Sequence, residues 1–577
     1  MKKLLRYLKP YTKESIMAPL FKLLEAGFDL MVPFVVRKIM DDAIPAGNTA
    51  QIWQLCGVLV LFALVGLACS ITAQYFAARA AVGFGTDLRQ ALFRHIQRYS
   101  YGQTDSAGTS TLITRMTADV NQLQTATNHT LRLLLRSPII VIGAAVFAFL
   151  VNAKGAVTFV VVIPLLAVVV FSIMLGGVPL YRKVQKGLDR VTSLTRENLT
   201  GVRVIRAFRK EQEETERFDQ ANKLQTAMQN TVGKIAALMN PLTLLIIDGG
   251  IIALLLSGAI QVNGGTMTKG DVFALTNYMS QILVELVKLA NTIIMINKGV
   301  ASAARMEAVL DTPVGMPVDT ALPAPAGAAG TAVAFDHVGL TYSEGADPSL
   351  TDITFTAAPG ETIGIIGSTG SGKTSVVNLI ARFYDATEGT VAVDGVNVKA
   401  RNPEQLRAEI GMVPQKAVLF RGTIRSNLLW GRENATDDEL WQALEEAQAK
   451  EFVAEKEGGL DAPVSQNGKN FSGGQRQRLT IARALVRKPS ILILDDSSSA
   501  LDYATDAALR AAIRGLDYHP TVFLISQRTA SLQHADRILV LDDGRQVGLG
   551  THDELLRTCG VYREIYDSQY KKEGADA

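Results

Sequence analysis

The sequence predicts an all-α transmembrane domain of six helices followed by a cytoplasmic α/β domain built on a phosphate-binding loop. Three observations carry this. Of 577 residues, 48% are hydrophobic and the mean hydropathy is +0.18, more apolar than a wholly water-soluble chain. The excess lies in the first half as long apolar runs, whereas beyond residue 330 short strand-like runs alternate with amphipathic helical patterns. Finally, Gly367-Ser368-Thr369-Gly370-Ser371-Gly372-Lys373-Thr374 stands between the apolar run 362–366 and the helical pattern 375–382, the strand-loop-helix setting of a phosphate cradle. The expected organisation is a membrane domain over 1–312, a linker rich in Pro, Ala and Gly over 313–330, and the α/β domain over 331–577.

Six stretches offer the roughly 20 mostly apolar residues that cross a bilayer: 16–36, 53–77, 133–151, 157–181, 242–262 and 272–296. Lys22, Glu25 and Asp29 interrupt the first, and Glu285 and Lys288 the sixth; ionised groups at such depth must be paired or wet. Basic residues gather between the second and third stretches (Arg79, Arg89, Arg94, Arg98, Arg115, Arg132, Arg136). They gather again between the fourth and fifth, from Arg182 through Arg206, Arg209 and Lys210 to Lys234. The other connections hold little beyond Arg37, Lys38, Lys154 and Lys269. Cytoplasmic loops retain such charge. Both termini and the second domain are therefore expected inside the cell, at the inner (plasma) membrane. The two basic connections are long and helical in pattern, which continues spans two to five beyond the bilayer as rods. The first nine residues are basic and lack a signal peptide's short apolar core and cleavage site, so they read as a helix lying on the surface.

A net charge of +3, without a Lys/Arg block or aromatic-basic interleaving, gives no reason to expect a nucleic-acid partner. Cys56, Cys69 and Cys559 form no metal spacing and read as small buried hydrophobes.

The chemistry concentrates in the second half. In the phosphate cradle, glycines let successive main-chain N–H groups turn inward, Lys373 reaches the outer phosphates and the Thr374 hydroxyl is a magnesium ligand. The apolar run 491–494 ends in Asp495-Asp496 and reads as a buried strand that delivers acids to its carboxyl end, where α/β sheets bind ligands. Downstream of a phosphate loop, Asp495 is the natural magnesium partner, and Asp496 stands where a base would orient an attacking water.

Phe471-Ser472-Gly473-Gly474-Gln475-Arg476-Gln477-Arg478, ahead of that strand, resembles the signature motif of ABC transporter ATPase domains. The flanking pieces match in order. Tyr342 resembles the aromatic that stacks on adenine, Gln415 in Met412-Val413-Pro414-Gln415 the Q-loop, and Ser499-Ala500-Leu501-Asp502 the D-loop. In the first half, Gly201-Val202-Arg203-Val204-Ile205-Arg206-Ala207-Phe208 and Thr114-Arg115-Met116-Thr117-Ala118-Asp119-Val120 look like the intracellular coupling regions of the six-span exporters. The resemblance covers nearly the whole chain. Physically the assignments agree: a tyrosine ring can stack on a base for roughly 1–3 kcal/mol, and a helix opening on Ser472-Gly473-Gly474-Gln475 suits a γ-phosphate. Taken alone, Tyr342 would be packing and Gln415 a loop amide.

The resemblance implies a small-molecule exporter that binds ATP and Mg2+ within a lipid bilayer. Two half-transporter chains would sandwich two nucleotides, each site taking its Walker motifs from one chain and its signature from the other; Gln415 would touch magnesium and the attacking water. Two departures then matter. The family usually has Glu where this chain has Asp496, and His where it has Gln527. Withdrawing the carboxylate by one bond costs roughly a hundredfold if it misplaces the base by about 1 Å, and Gln527 cannot carry an imidazolium charge. A third departure is Gln466, where exporters commonly have Glu before the signature. A weakened hydrolytic pair beside an intact signature is what a heterodimer asks of its degenerate-site subunit, so a different partner chain is expected, with a homodimer as the alternative.

For the cargo, Lys22, Glu25 and Asp29 share one face of the first span, Glu285 and Lys288 a face of the sixth, and Asp248 adds a mid-span acid. A cavity attracting cationic amphiphiles is one reading; the other, equally open, is ion pairs joining helices or groups lying in wet cytoplasmic ends. Multidrug or amphiphile export is the family's commonest implication, followed by lipid, peptide or siderophore-like cargo or an ATP-gated or regulatory subunit. With no domain before the first span, the protease-bearing peptide exporters are disfavoured.

Overall fold

The computed structural model describes residues 3–323, 328–343 and 345–570. The chain forms two compact units. The first comprises Met1–Gln97 and Thr109–Pro313, the second Arg98–Gly108 and Val314–Ala577.

The first unit is helical. Among the described residues, five helices are long and apolar enough to cross a bilayer: Thr49–Ile96, Thr109–Val151, Ala153–Thr200, Glu211–Asn263 and Lys269–Asp311. The expected first span lies within helix Thr12–Lys38, which falls short of that apolarity because Lys22, Glu25 and Asp29 sit inside it. At 1.5 Å per residue, the 48 residues of Thr49–Ile96 reach about 72 Å, well beyond the roughly 30 Å hydrocarbon layer. Turns at Gly47, Asn152 and Gly264 join helices at one end of the bundle; at the other end, the short helix Val202–Ala207 joins two rods. Its neighbours Leu199 and Phe208 are exposed, as is Val204.

Lys3, Arg6 and Lys9 of the N-terminal segment are exposed. Leu4 of the 3-10 helix Leu4–Tyr11 is buried among Phe84, Leu88, Leu92 and Met306, anchoring the segment by its apolar side. Two expectations change in this unit. Thr114–Val120, expected as a coupling region, is part of the bundle: Asp119 is buried and bonded by Arg115, Ser302 and Arg305. Arg136, counted above among loop charges, begins helix Arg136–Val151 and is buried. It donates to Glu285 at 2.5 Å and to Asp29 at 2.9 Å; Glu285 also accepts from Ser137 at 2.7 Å and Lys288 at 3.0 Å. Lys22 pairs with Glu25 at 2.5 Å and donates to Ser70 at 3.2 Å. Of the two readings left open, these acids follow the second: they join helices. Asp248 is exposed and has no ion-pair partner among the described residues.

The second unit centres on a ten-stranded sheet. Its order runs Val396–Asn397, Glu388–Val393, Val333–Leu340, Leu350–Ala357, Arg545–Gly550, Arg537–Asp542, Thr362–Gly367, Thr521–Ile525, Ile491–Asp495, Ile410–Val413. The last five strands are parallel. They are covered on both faces, so each is a continuous apolar run. Leu492 and Leu494 point into one core and Ile491 and Ile493 into the other, and Val522/Leu524 and Phe523/Ile525 divide in the same way. The linker is less independent than its composition implies. Buried Arg382 donates to Pro317 O at 2.6 Å, Asp319 N–H to Lys399 O at 3.0 Å, and Ala328 packs on Ala334 and Ala392. Residues 324–327 of the linker lie outside the described residues.

Candidate nucleotide site

Four neighbouring parallel strands end side by side, and the loop leaving each supplies one part of the site. Thr362–Gly367 leads into the phosphate loop, Thr521–Ile525 into Ser526-Gln527-Arg528, Ile491–Asp495 into the acid pair, and the edge strand Ile410–Val413 into Gln415.

The phosphate loop turns back on itself before helix Lys373–Ile380. Gly372 caps that helix at φ +92°, and a Cβ there would lie 2.8 Å from Ser349 O, so conformation and space both require glycine. Ser368, Thr369, Gly370 and Thr374 are exposed, and Ser371 is buried beneath them. The Lys373 amine donates to the main-chain oxygens of Gly367 (2.8 Å) and Ser368 (2.6 Å) at the loop's mouth. Burial pushes this amine's pKa down, while the charges of Asp496 and Asp495 oppose the shift.

Thr374 donates its hydroxyl to both oxygens of Asp495, at 3.1 and 3.0 Å. Asp495 is 3% exposed; burial pushes its carboxyl up and the Thr374 bond pulls it back. Asp496 turns out of the strand at φ +45°, a left-handed conformation that aspartate tolerates better than most side chains. Its N–H donates to Ile525 O at 3.1 Å, and its own carbonyl accepts from the Ser499 hydroxyl at 2.9 Å. The Gln415 amide nitrogen reaches the Asp496 carboxylate at 3.4 Å. Phosphate loop, acid pair and Gln415 thus form one constellation.

Tyr342 stands beside it. Its hydroxyl shares a 2.8 Å hydrogen bond with Ser375 at the start of the phosphate-loop helix, and its ring is 45% exposed. Gln527 is exposed, and its main-chain oxygen is bonded by Gln569. Ser472 caps helix Gly473–Leu485 in a reciprocal box with Gln475. Ser472 and Gly473 face solvent, and a Cβ on Gly474 would sit 3.0 Å from Ala500 O, so the helix start leans on the turn after the acid pair. Among the described residues no hydrogen bond joins Ser472-Gly473-Gly474-Gln475 to the phosphate loop of the same domain. Asp502 caps helix Tyr503–Arg514, and Gln466 lies exposed in a short 3-10 turn.

The family model of the ABC transporter transmembrane region matches residues 15–286, and the ABC transporter family model matches 350–499. An uncharacterized ABC transporter ATP-binding protein of Mycobacterium tuberculosis is 38% identical over 98% of this chain and 97% of its own length. The chain belongs to the ABC transporter family. The ATP-dependent lipid A-core flippase of Hahella chejuensis is 31% identical over 100% of this chain and 97% of its own. The solved structure of a bacterial Atm1-family ABC exporter with ATP bound superposes with a TM-score of 0.79 at 25% identity, covering 97% of this chain and 98% of that one.

This ABC transporter has the exporter architecture: a helical membrane domain and an α/β ATPase domain that binds ATP and couples its hydrolysis to transport. It is a multi-pass membrane protein and a half-transporter that dimerises. The donors around Thr374 and Asp495 are hard oxygens, few and close together. That set suits Mg2+, which keeps waters and takes its remaining ligands from substrate phosphates.

Sequence reasoning did not find four residues that hold this site. Ser375 and Tyr384 fix Tyr342. Arg528 lies over the Tyr503 ring at 4.9 Å and donates to Leu501 O at 3.4 Å. Gln569 bonds Gln527 O at 2.7 Å and accepts from the Thr529 N–H and hydroxyl, each at 2.9 Å. Each acts through a partner distant in sequence, which no local motif signals.

Proposed function

We propose that this chain is the degenerate-site half of a heterodimeric ABC exporter of amphiphilic small molecules, with both termini and the ATPase domain on the cytoplasmic side. Its own ATP would stack on Tyr342 and lie in the loop from Gly367 to Thr374, with Mg2+ at Thr374, Asp495 and Gln415. Bound ATP–Mg2+ supplies the phosphoanhydride and the neutralising charge. Lys373 contributes a cation at the outer phosphates, Gln415 orients the water near Asp496, and Asp496 accepts its proton slowly because its carboxylate is one bond short. Gln527 donates a neutral hydrogen bond where a histidine would offer a charge. Ser472-Gly473-Gly474-Gln475 serves the partner's nucleotide.

The supporting observation is the pairing of Asp496 with Gln415 at 3.4 Å in a site otherwise fully equipped to hold ATP. The chain purified alone, in lipid, is expected to bind ATP with little turnover. Brisk magnesium-dependent hydrolysis, abolished by Asp496→Asn, would overturn the reading. A lipid cargo is the second reading, favoured by the flippase relative. Inside-out vesicles holding both chains decide the class of activity: ATP-driven accumulation supports a pump, and ATP-gated passive flux a channel or regulatory subunit.

A further inference from the structure

Tyr384 has a place in the nucleotide site that no motif describes. Its ring meets Tyr342 edge to face, with centroids 4.8 Å apart and planes at 88°, a geometry favoured by the aromatic quadrupole and sensitive to either ring's tilt. Its hydroxyl donates to the Asp105 carboxylate on helix Tyr101–Ala107, within the Arg98–Gly108 segment of the second unit. Burial and Asp105 both hold the phenol in its neutral, donating form. The same helix is gripped a second time. Tyr101 stacks on Phe383 at 4.1 Å and 23°, and Arg407 covers Phe383 at 5.1 Å. One residue therefore touches both the base-facing aromatic and a helix that returns to this unit from a distant part of the chain.

We propose that Tyr384 is a positioning residue that sets the base-stacking face of Tyr342 and transmits occupancy of that face to helix Tyr101–Ala107. The proposal rests on the reading that Tyr342 stacks on the purine. A base laid on the open face of Tyr342 fixes its plane, which fixes the edge contact with Tyr384 and so the direction of the hydroxyl toward Asp105. The ligand class sensed this way is a purine nucleotide. A bare polyphosphate would fill the phosphate loop without engaging the relay.

The test is hydrogen exchange of residues 98–108 in the full chain in lipid, with saturating ATP or inorganic tripolyphosphate. ATP is expected to slow exchange there and tripolyphosphate to leave it unchanged. Tyr384→Phe keeps the ring and removes the hydroxyl; at saturating ATP it should lose most of the ATP-dependent protection. Asp105→Asn, which keeps an acceptor, should retain more of the protection than Asp105→Ala. Equal protection by tripolyphosphate, or a wild-type response in Tyr384→Phe, overturns the proposal. Tyr342→Ala separates it from the reading beneath it. An unchanged ATP Kd there sinks the stacking itself, whereas a loss of about tenfold with a wild-type response in Tyr384→Phe sinks only the relay.

Discussion

Gln569 clamps the loop that carries Gln527: its amide nitrogen donates to Gln527 O at 2.7 Å, while its amide oxygen accepts from the Thr529 N–H and hydroxyl at 2.9 Å each. The last described helix, Gly560–Tyr570, thereby sets the backbone of the loop that carries Gln527. Gln569→Ala is expected to raise amide exchange across 526–530 by about tenfold, in keeping with the loss of roughly one net hydrogen bond's worth of stabilisation. Gln569→Glu keeps the acceptor and loses the donor, so its effect should be intermediate. Unchanged exchange in the alanine variant would show that the loop is held elsewhere.

Asp496 and Gln527 can be tested by restoration. In the chain assayed alone, Asp496→Glu with Gln527→His is expected to raise single-turnover ATP hydrolysis by about a hundredfold, and Asp496→Glu alone by less. The left-handed backbone at φ +45° favours aspartate, so the glutamate variant should also melt slightly lower. A double variant as slow as the parent removes the short carboxylate as the cause.

The ion network of the first unit predicts unequal responses. Arg136→Ala leaves Glu285, 4% exposed, without its closest cation, and breaking a buried pair costs about 3–5 kcal/mol. Asp248→Asn removes an exposed acid without an ion-pair partner among the described residues, and should stay within about 0.5 kcal/mol. Melting in detergent separates the two; similar losses would mean that Asp248 is paired in the assembled transporter.

Glu361 gives a pH dependence of known sign. Burial raises its pKa, but hydrogen bonds from Arg537 (2.7 Å) and the Ala358 N–H (2.7 Å) outweigh this, and the folded value lies below the usual one. Its contribution to stability is therefore fully present above the unfolded pKa of about 4.3 and is lost as pH falls through the lower folded value. Glu361→Gln should flatten the acid limb of a melting-temperature profile between about pH 5 and 3. An unchanged acid limb would assign the effect to other carboxylates.

The parts of the fold legible in the sequence are those whose local pattern and tertiary role coincide. The strand Ile491–Asp495 is covered on both faces and so reads as a bare apolar run, and the phosphate loop keeps glycine where a Cβ has no room. Arg136 was misread because a buried, paired arginine and a loop arginine are the same residue type until Glu285 and Asp29 are placed around it. The docking of the linker runs through main-chain oxygens such as Pro317 O, which composition does not report. Asp105 and Tyr384 are 279 positions apart, and one amphipathic turn offers no sign of which unit it joins.

That last contact has a consequence for dissecting the molecule. The polypeptide enters the second unit twice, at Arg98–Gly108 and again from Val314. No single cut releases the ATPase portion whole. A fragment begun in the linker would leave behind Tyr101 and Asp105, baring the aromatic face of Phe383 and Tyr384 to water. An exchange of ATPase modules between transporters must likewise carry, or rebuild, eleven residues encoded more than two hundred positions upstream.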